Sequence, residues 1–97
     1  MLNLKVTPHF TRKLKKLTKH NKNLAEDVNN TISILRYNPF APILSSHQVN
    51  SLVDGQRHFS CRVTGDIRII WDFAEKHVNL IGLIDLGGHT GKNKVYK

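Results

Sequence analysis

Apolar and polar residues alternate on both sides of a glycine-centred break at Thr64-Gly65-Asp66, a pattern that predicts two short strands joined by a turn. With a period of two, Phe59, Cys61 and Val63 share one face of the first strand, while Ser60 and Arg62 take the other. In the second strand Ile67, Ile69, Trp71 and Phe73 share a face and leave Arg68, Ile70 and Asp72 opposite. Paired residues of a hairpin point to the same side, so register decides what is buried. A two-residue loop would set Cys61 against Arg68 and mix the apolar set with the polar one. A three-residue loop pairs Val63 with Ile67 and Cys61 with Ile69, and keeps the apolar face whole. The odd loop is therefore expected, and it sets Arg62 directly opposite Arg68. Like charges facing each other across a ladder are unfavourable. Either an anion sits between them, or Asp66 and Asp72 neutralise them.

Upstream, Leu2-Asn3-Leu4-Lys5-Val6 also alternates and predicts a first strand. Thr7-Pro8 marks a helix start, with Thr7 as N-cap and Pro8 at the first helical position, where a missing N–H costs nothing. Phe10, Leu14 and Leu17 follow at i, i+4 and i+7 as one apolar stripe, on a helix expected to end near Lys19. The link His20-Asn21-Lys22-Asn23 is short and polar, which favours antiparallel neighbours. Leu24, Val28, Thr31, Ile32 and Leu35 then mark a second helix from about Asn23 to Tyr37, stopped by Asn38-Pro39. Neither helix can bury its stripe alone, so the pair must lie on the sheet or on a partner. From Phe40 to Gln56 the pattern breaks down, and Pro39, Pro42, Asn50 and Asp54-Gly55 punctuate a segment expected to be loop. His47 falls within it and is expected to face solvent.

Beyond the hairpin, Ala74-Glu75-Lys76 reads as a turn and His77 to Leu86 as the last strand. Val78, Leu80, Gly82, Ile84 and Leu86 alternate with Asn79, Ile81, Leu83 and Asp85, so this strand is apolar on nearly both faces and belongs in the middle of a sheet. It closes at Gly87-Gly88. The tail that follows holds His89, Lys92, Lys94, Tyr96 and Lys97 without one acid. It is either a frayed terminus or a cluster of proton carriers and cations just past a strand end. The expected architecture is α+β: an N-terminal strand and an antiparallel helical hairpin packed on a small, mostly antiparallel, four-stranded twisted sheet. The order is β-α-α-β-β-β, in one domain spanning residues 1–97.

Composition narrows the picture. Ninety-seven residues at 39% hydrophobic content suffice for one modest core. There is no run of 18 apolar residues and no signal-peptide pattern, so a soluble, cytoplasmic chain is expected. The single Cys61 excludes an internal disulfide, and its place on the apolar strand face makes it a core filler. His9, His20, His47, His58, His77 and His89 show none of the usual metal spacings, so no metal is expected. A net charge of +8 implies a polyanionic or acidic partner. A membrane surface is the weakest such partner, since no amphipathic helix carries Trp and Phe on a broad apolar face.

The element order, the block from Ser60 to Trp71, and the close Gly87-Gly88-His89 with Lys94-Val95-Tyr96 resemble the RelE/ParE toxin superfamily. The mRNA-interferase branch typified by RelE and YafQ is the nearer likeness. The resemblance spans essentially the whole chain; its specific part is the two C-terminal blocks, and the helical hairpin is generic. It implies the toxin of a type II toxin–antitoxin pair, neutralised by a small acidic antitoxin that wraps it. It further implies a ribosome-dependent endoribonuclease that cuts mRNA by attack of the ribose 2′-OH on the adjacent phosphate, without metal or other cofactor. Position by position, Arg68 matches the arginine of the family's third strand that stabilises charge on the phosphate. Tyr96 matches the C-terminal aromatic that acts as base or stacks on a nucleotide, and Lys92 falls where RelE-like members have a second catalytic arginine. By the YafQ-like pattern His47, Asp66 and His89 coincide with acid/base positions, while that branch's strand histidine is Arg62 here. The chain thus mixes two site types, and the resemblance leaves the general base and general acid unassigned.

The chemistry stands without the family. Internal phosphoryl transfer needs a group to take the 2′-OH proton, a donor for the 5′-oxygen, and cations for the charge building on the phosphate. His89 titrates near neutrality and suits either proton role. Arg62, Arg68 and Lys92 suit the cationic cradle, although lysine lacks the bidentate fork of arginine; Trp71 faces the core and is excluded. On the first helix Arg12, Lys13, Lys15, Lys16 and Lys19 lie within about two turns without one acid, and like charges at i,i+4 repel. The ordinary account is a solvated face. The functional one is that Lys13, Lys15, Lys16 and Lys19 track ribosomal RNA phosphates, a sequence-blind and salt-sensitive attachment. Two rivals stand beside the ribonuclease. One is a ParE-like inhibitor of DNA gyrase on the same fold, which needs no proton carriers. The other is a non-catalytic RNA- or antitoxin-binding protein, which the lysine at 92 would suit.

Overall fold

In the computed structural model, which describes residues 1–88, 91 and 93–97, the central hairpin forms in the expected register. Strand β3 (Arg57–Arg62) and strand β4 (Ile67–Phe73) pair Cys61 with Ile69 and Arg62 with Arg68. The Val63 amide donates to the Ile67 carbonyl at 2.9 Å, and Thr64 Oγ1 accepts from the amides of Asp66 and Ile67 at 3.3 and 3.0 Å. A threonine hydroxyl bonding two and three residues ahead is an ordinary way to fix a tight turn.

Around this hairpin the chain adds strand β1 (Asn3–Val6), helix α1 (Pro8–Thr18), helix α2 (Lys22–Tyr37), strand β2 (His47–Asn50) and strand β5 (Leu80–Gly88). The sheet runs β1-β5-β4-β3-β2; β1 pairs parallel to β5 and every other pair is antiparallel. It therefore has five strands, not the four expected. The missed strand, β2, lies in the segment taken for loop. It has a single buried apolar residue, Val49, and forms because β3 presents an open edge, with His47 opposite Ser60 and Val49 opposite His58. The last strand also starts later than the alternation suggested. Glu75 and Lys76 adopt φ of 54° and 60°, so the turn after β4 is longer, and Val78 stays 70% exposed outside the ladder. As expected, β5 is central.

The two faces of the sheet have different covers. On the inner face α1 and α2 lie over Cys61, Ile69, Trp71, Ile81, Leu83 and Leu86, with Phe10, Leu24, Val28 and Leu35 supplied by the helices. Trp71 is wholly buried; Phe59 stacks on it with ring centroids 4.7 Å apart, and Phe73 meets it edge-on at 5.4 Å. Cys61 fills this core, and burial pushes its thiol up to about 12. Helix α1 starts as its sequence dictates, with Thr7 Oγ1 accepting from the Phe10 amide at 3.1 Å and Pro8 at the first position. On the outer face a smaller cluster of Val49, Ile70 and Val95 excludes water, flanked by Ile84 and Tyr96. The tail from Asn93 to Lys97 is thus packed rather than frayed. On the same sheet the β4–β5 register shifts between Ile70 and Trp71: Ile70 faces Asp85 and Trp71 faces Leu83, leaving Ile84 as an extra residue.

One ion cluster ties the layers together. β1 pairs with β5 only as far as Leu83, and beyond that point α1 approaches β5. There Asp85, 3% exposed, accepts at Oδ1 from His9 Nε2 (2.9 Å), Lys13 Nζ (3.2 Å) and the Leu86 amide (2.8 Å). A buried carboxylate holds only when its oxygens are met by donors, and α1 brings two of the three. Asp85→Ala should lower unfolding free energy by about 2 kcal/mol, the scale of hydrogen bonds to a charged group, because Lys13 and His9 can turn to solvent. Chemical denaturation of both proteins measures this difference.

Candidate active site

Register places the candidate residues on the outer face in successive rungs. Arg62, Arg68 and Gly87 share one rung, and His47, Ser60, Ile70 and Asp85 share the next. Same-face rungs are spaced about 7 Å apart along a strand. Arg62 is exposed at the end of β3, and its edge adjoins a groove lined by Thr31, Ile34, Ile43, Leu44 and Val63. Arg68 is half-buried, and its Nη1 donates to the carbonyls of Thr64 (2.7 Å) and Ile67 (3.2 Å). The turn thereby holds the guanidinium through one nitrogen of a group with five N–H donors. Asp66 is exposed in the same turn. Asp72, by contrast, lies at the far end of β4 and bonds His58, so it does not neutralise the arginine pair.

His47 and Tyr96 meet on this face with ring centroids 6.3 Å apart and planes at 89°. His47 is exposed, as expected. Its Nδ1 lies 2.9 Å from the Ser45 carbonyl, which can only accept, so the proton sits on Nδ1. In the neutral ring Nε2 is then left with its lone pair, the arrangement a general base requires. Ser45 presents that carbonyl from a left-handed conformation with φ of 49°. No hydrogen bond or ring contact joins the His47–Tyr96 pair to the arginine pair among the described residues; what unites them is adjacent rungs of one open face. His89 and Lys92, both named from the sequence, lie outside the described residues. Lys15 and Lys16 on α1, and Lys19 at its C-cap, are exposed and form no ion pair among the described residues. Lys13 differs from the expectation: its ammonium is bound to Asp85 inside the fold and is not offered to a polyanion. No group of three or more His, Cys, Asp or Glu residues with metal-binding geometry occurs among the described residues.

No family model matches the chain, and no curated protein matches it by sequence. Solved structures do. The YoeB/ParE toxin from Agrobacterium tumefaciens superposes with a TM-score of 0.71 at 17% identity, covering 92% of this chain and 100% of that one. The E. coli DinJ–YafQ complex gives 0.69 at 18% identity, over 92% and 94% of the two chains. A heterotetrameric YoeB–YefM toxin–antitoxin complex from Staphylococcus aureus gives 0.68 at 18% identity, over 93% and 99%. At such identities the likeness is one of fold. Two helices on a five-stranded, mostly antiparallel sheet with an N-terminal strand make the RelE/YoeB toxin fold, and the resemblance noted in the sequence holds at this level.

Sequence reasoning missed a second polar network at the other end of the outer face. His58 Nδ1 lies 2.8 Å from Asp72 Oδ2, and its Nε2 lies 2.8 Å from Asp54 Oδ2. With a carboxylate on each nitrogen, both must carry protons and the ring is an imidazolium. Burial alone would lower its pKa, but the hydrogen bonds and charges of Asp54 and Asp72 outweigh burial and raise it above 6.5. Burial would likewise raise Asp54, yet the His58 hydrogen bond, the Gln56 amide and the His58 charge hold it below 3.8. A signal existed: the register that pairs Phe59 with Trp71 sets His58 beside Asp72. The stability from a raised histidine is complete below its unfolded value and fades as pH climbs through the folded one. Unfolding free energy should therefore decline as pH rises from 6.5 through the raised pKa, and His58→Gln should flatten that decline. The Asp54 share is present above 3.8 and is lost as pH falls through its lowered value. Denaturation curves at a series of pH values test both signs.

Proposed function

We propose that this chain is the toxin of a type II toxin–antitoxin pair, acting as a ribosome-dependent endoribonuclease that cleaves mRNA without a metal. The observation that carries the reading is an open sheet face, on a fold shared with toxins, where two guanidinium groups stand one rung from an imidazole and a phenol. In the proposed reaction the ribose 2′-oxygen attacks the adjacent phosphorus and the bond from phosphorus to the 5′-oxygen breaks. The 2′-OH proton passes to a base and a proton is delivered to the departing oxygen, which leaves a cyclic phosphate and a 5′-hydroxyl. His47 Nε2 is the described nitrogen suited to the first transfer, while His89 remains the second proton carrier read from the sequence. Arg62 and Arg68, with Lys92, neutralise charge on the phosphate; the fixed Arg68 guanidinium does so with little reorganisation. Tyr96 stacks on a nucleotide or shares the proton traffic, and Asp66 keeps its acid/base role as a proposal.

Attachment to the ribosome is assigned to Lys15 and Lys16 on α1 and Lys19 at its C-cap, which form no ion pair among the described residues. An acidic antitoxin is the proposed protein partner. The net charge of +8 supports it, as do the large apolar side chains left open beside α2, Tyr37 at 82% exposure and Ile43 at 70%. No helix among the described residues is long and apolar enough to cross a membrane.

Induction of the chain in a bacterium should arrest growth and shorten transcripts within minutes; stalled replication with intact mRNA would identify a gyrase inhibitor instead. With mRNA on purified ribosomes, Arg68→Ala should lower the cleavage rate roughly 10²–10³-fold, the scale for losing one charge-stabilising group. His47→Ala and Tyr96→Phe should each reduce it while thermal unfolding is preserved. Joint replacement of Lys15, Lys16 and Lys19 by alanine should weaken ribosome binding and make the remaining affinity less dependent on salt. Full activity in all of these variants would remove the site from this face.

A further inference from the structure

The tail from Asn93 to Lys97 is clamped to two elements, the end of β5 and the end of β2 with the residues after it. At the end of β5 the Val95 amide donates to the Gly88 carbonyl at 3.0 Å, and the Gly88 amide donates to the Asn93 carbonyl at 2.8 Å. At the end of β2 and just past it, the Lys97 amide donates to the Asn50 carbonyl at 3.1 Å, and the Leu52 amide donates to the Val95 carbonyl at 3.0 Å. Val95, whose amide and carbonyl enter the two clamps, is wholly buried against Val49 and Ile70, and the next residue, Tyr96, emerges beside His47. Under this segment lies Gly87, on the rung of Arg68. A Cβ built on Gly87 would stand 2.2 Å from the Asn93 carbonyl oxygen and 2.7 Å from Val95 Cγ1. Gly87 is not in the left-handed region, so the glycine is required by space and not by backbone conformation.

We infer that Gly87 is a positioning residue for Tyr96: its missing side chain lets the tail lie on the Arg68 rung and so carries the phenol to the imidazole. The inference rests on the reading of Tyr96 as part of the ribonuclease site. A methyl group at this position meets backbone, which cannot rotate aside as a side chain would. Asn93 must lift, Val95 leaves its cluster, and both clamps loosen together. The arginine rung and the His47–Tyr96 pair, which share no direct bond among the described residues, are thus coupled through one close approach of main chains.

Gly87→Ala should lower kcat for cleavage of ribosome-bound mRNA roughly 10²-fold, the scale of removing one group that acts in the transition state, with KM little changed. Amide exchange should accelerate at Leu52, Gly88, Val95 and Lys97 and remain slow in β3 and β4, which marks a lifted tail and not an unfolded sheet. In a Tyr96→Ala background the same substitution should cause no further loss of rate, because residues acting through one group are not additive. Unchanged exchange in Gly87→Ala, or losses that multiply with Tyr96→Ala, overturns the inference. Cleavage at full rate by Tyr96→Ala alone overturns the reading of the site, a failure seen in activity and not in exchange. Should Gly87→Ala not fold, Val95→Ala, which introduces no clash, decides: the expected result is the same kcat loss with exchange confined to the tail, and unaltered kcat and exchange overturn the inference.

Discussion

The pairing of β3 with β4 is the constraint on which the other features depend. Sliding one strand by a single residue would turn Cys61, Ile69 and Trp71 to solvent or drive Arg62 and Arg68 into the core. Burying an unpaired guanidinium is far costlier than exposing an aliphatic group, so the alternation leaves one workable register. That register has a consequence the core did not need. Two arginines arrive side by side on the outer face, and the turn that closes the hairpin supplies the carbonyls that hold one of them. A choice made by hydrophobic burial therefore builds a cationic rung.

The outer face is an unusual surface to leave to a tail. Helices cover the inner face with Phe10, Leu24, Val28 and Leu35, whereas outside a single valine of the closing segment does the corresponding work. Its small footprint keeps Arg62, His47 and Tyr96 at the surface while drying the sheet between them. The hydroxyls of Ser51 and Ser60 are buried without a hydrogen-bond partner among the described residues. Unmet buried polar groups of this kind commonly collect where function constrains packing.

Much of this was legible in the sequence because it followed from period and charge. Strict alternation gave the hairpin register, Thr7-Pro8 gave the start of α1, and a strand apolar on both sides announced its central place. What escaped shares a physical cause. β2 carries one core residue, Val49, and owes its conformation to a neighbour's open edge, so its own pattern is nearly silent. Lys13 looked like any other cation on a basic helix; only the approach of α1 to β5 reveals the buried Asp85 that holds it. Gly87 read as the end of a strand, since close passage of a segment six to eight residues later leaves no mark on local pattern. Of the candidate site, Arg62, Arg68, His47 and Tyr96 share one face, while His89 and Lys92 fall outside the described residues.

The burial of Cys61 reaches beyond packing. Thiolate is the reactive form of cysteine, and a thiol pushed up to about 12 on a side chain 1% exposed offers almost none of it near neutrality. The chain's one sulfhydryl is thus silent toward oxidants and alkylating reagents for as long as the helices stay packed on the sheet. It becomes visible only when the core between the sheet and the two helices opens, so the native sequence already carries a probe that reports opening of that core and not movement of the tail on the other face.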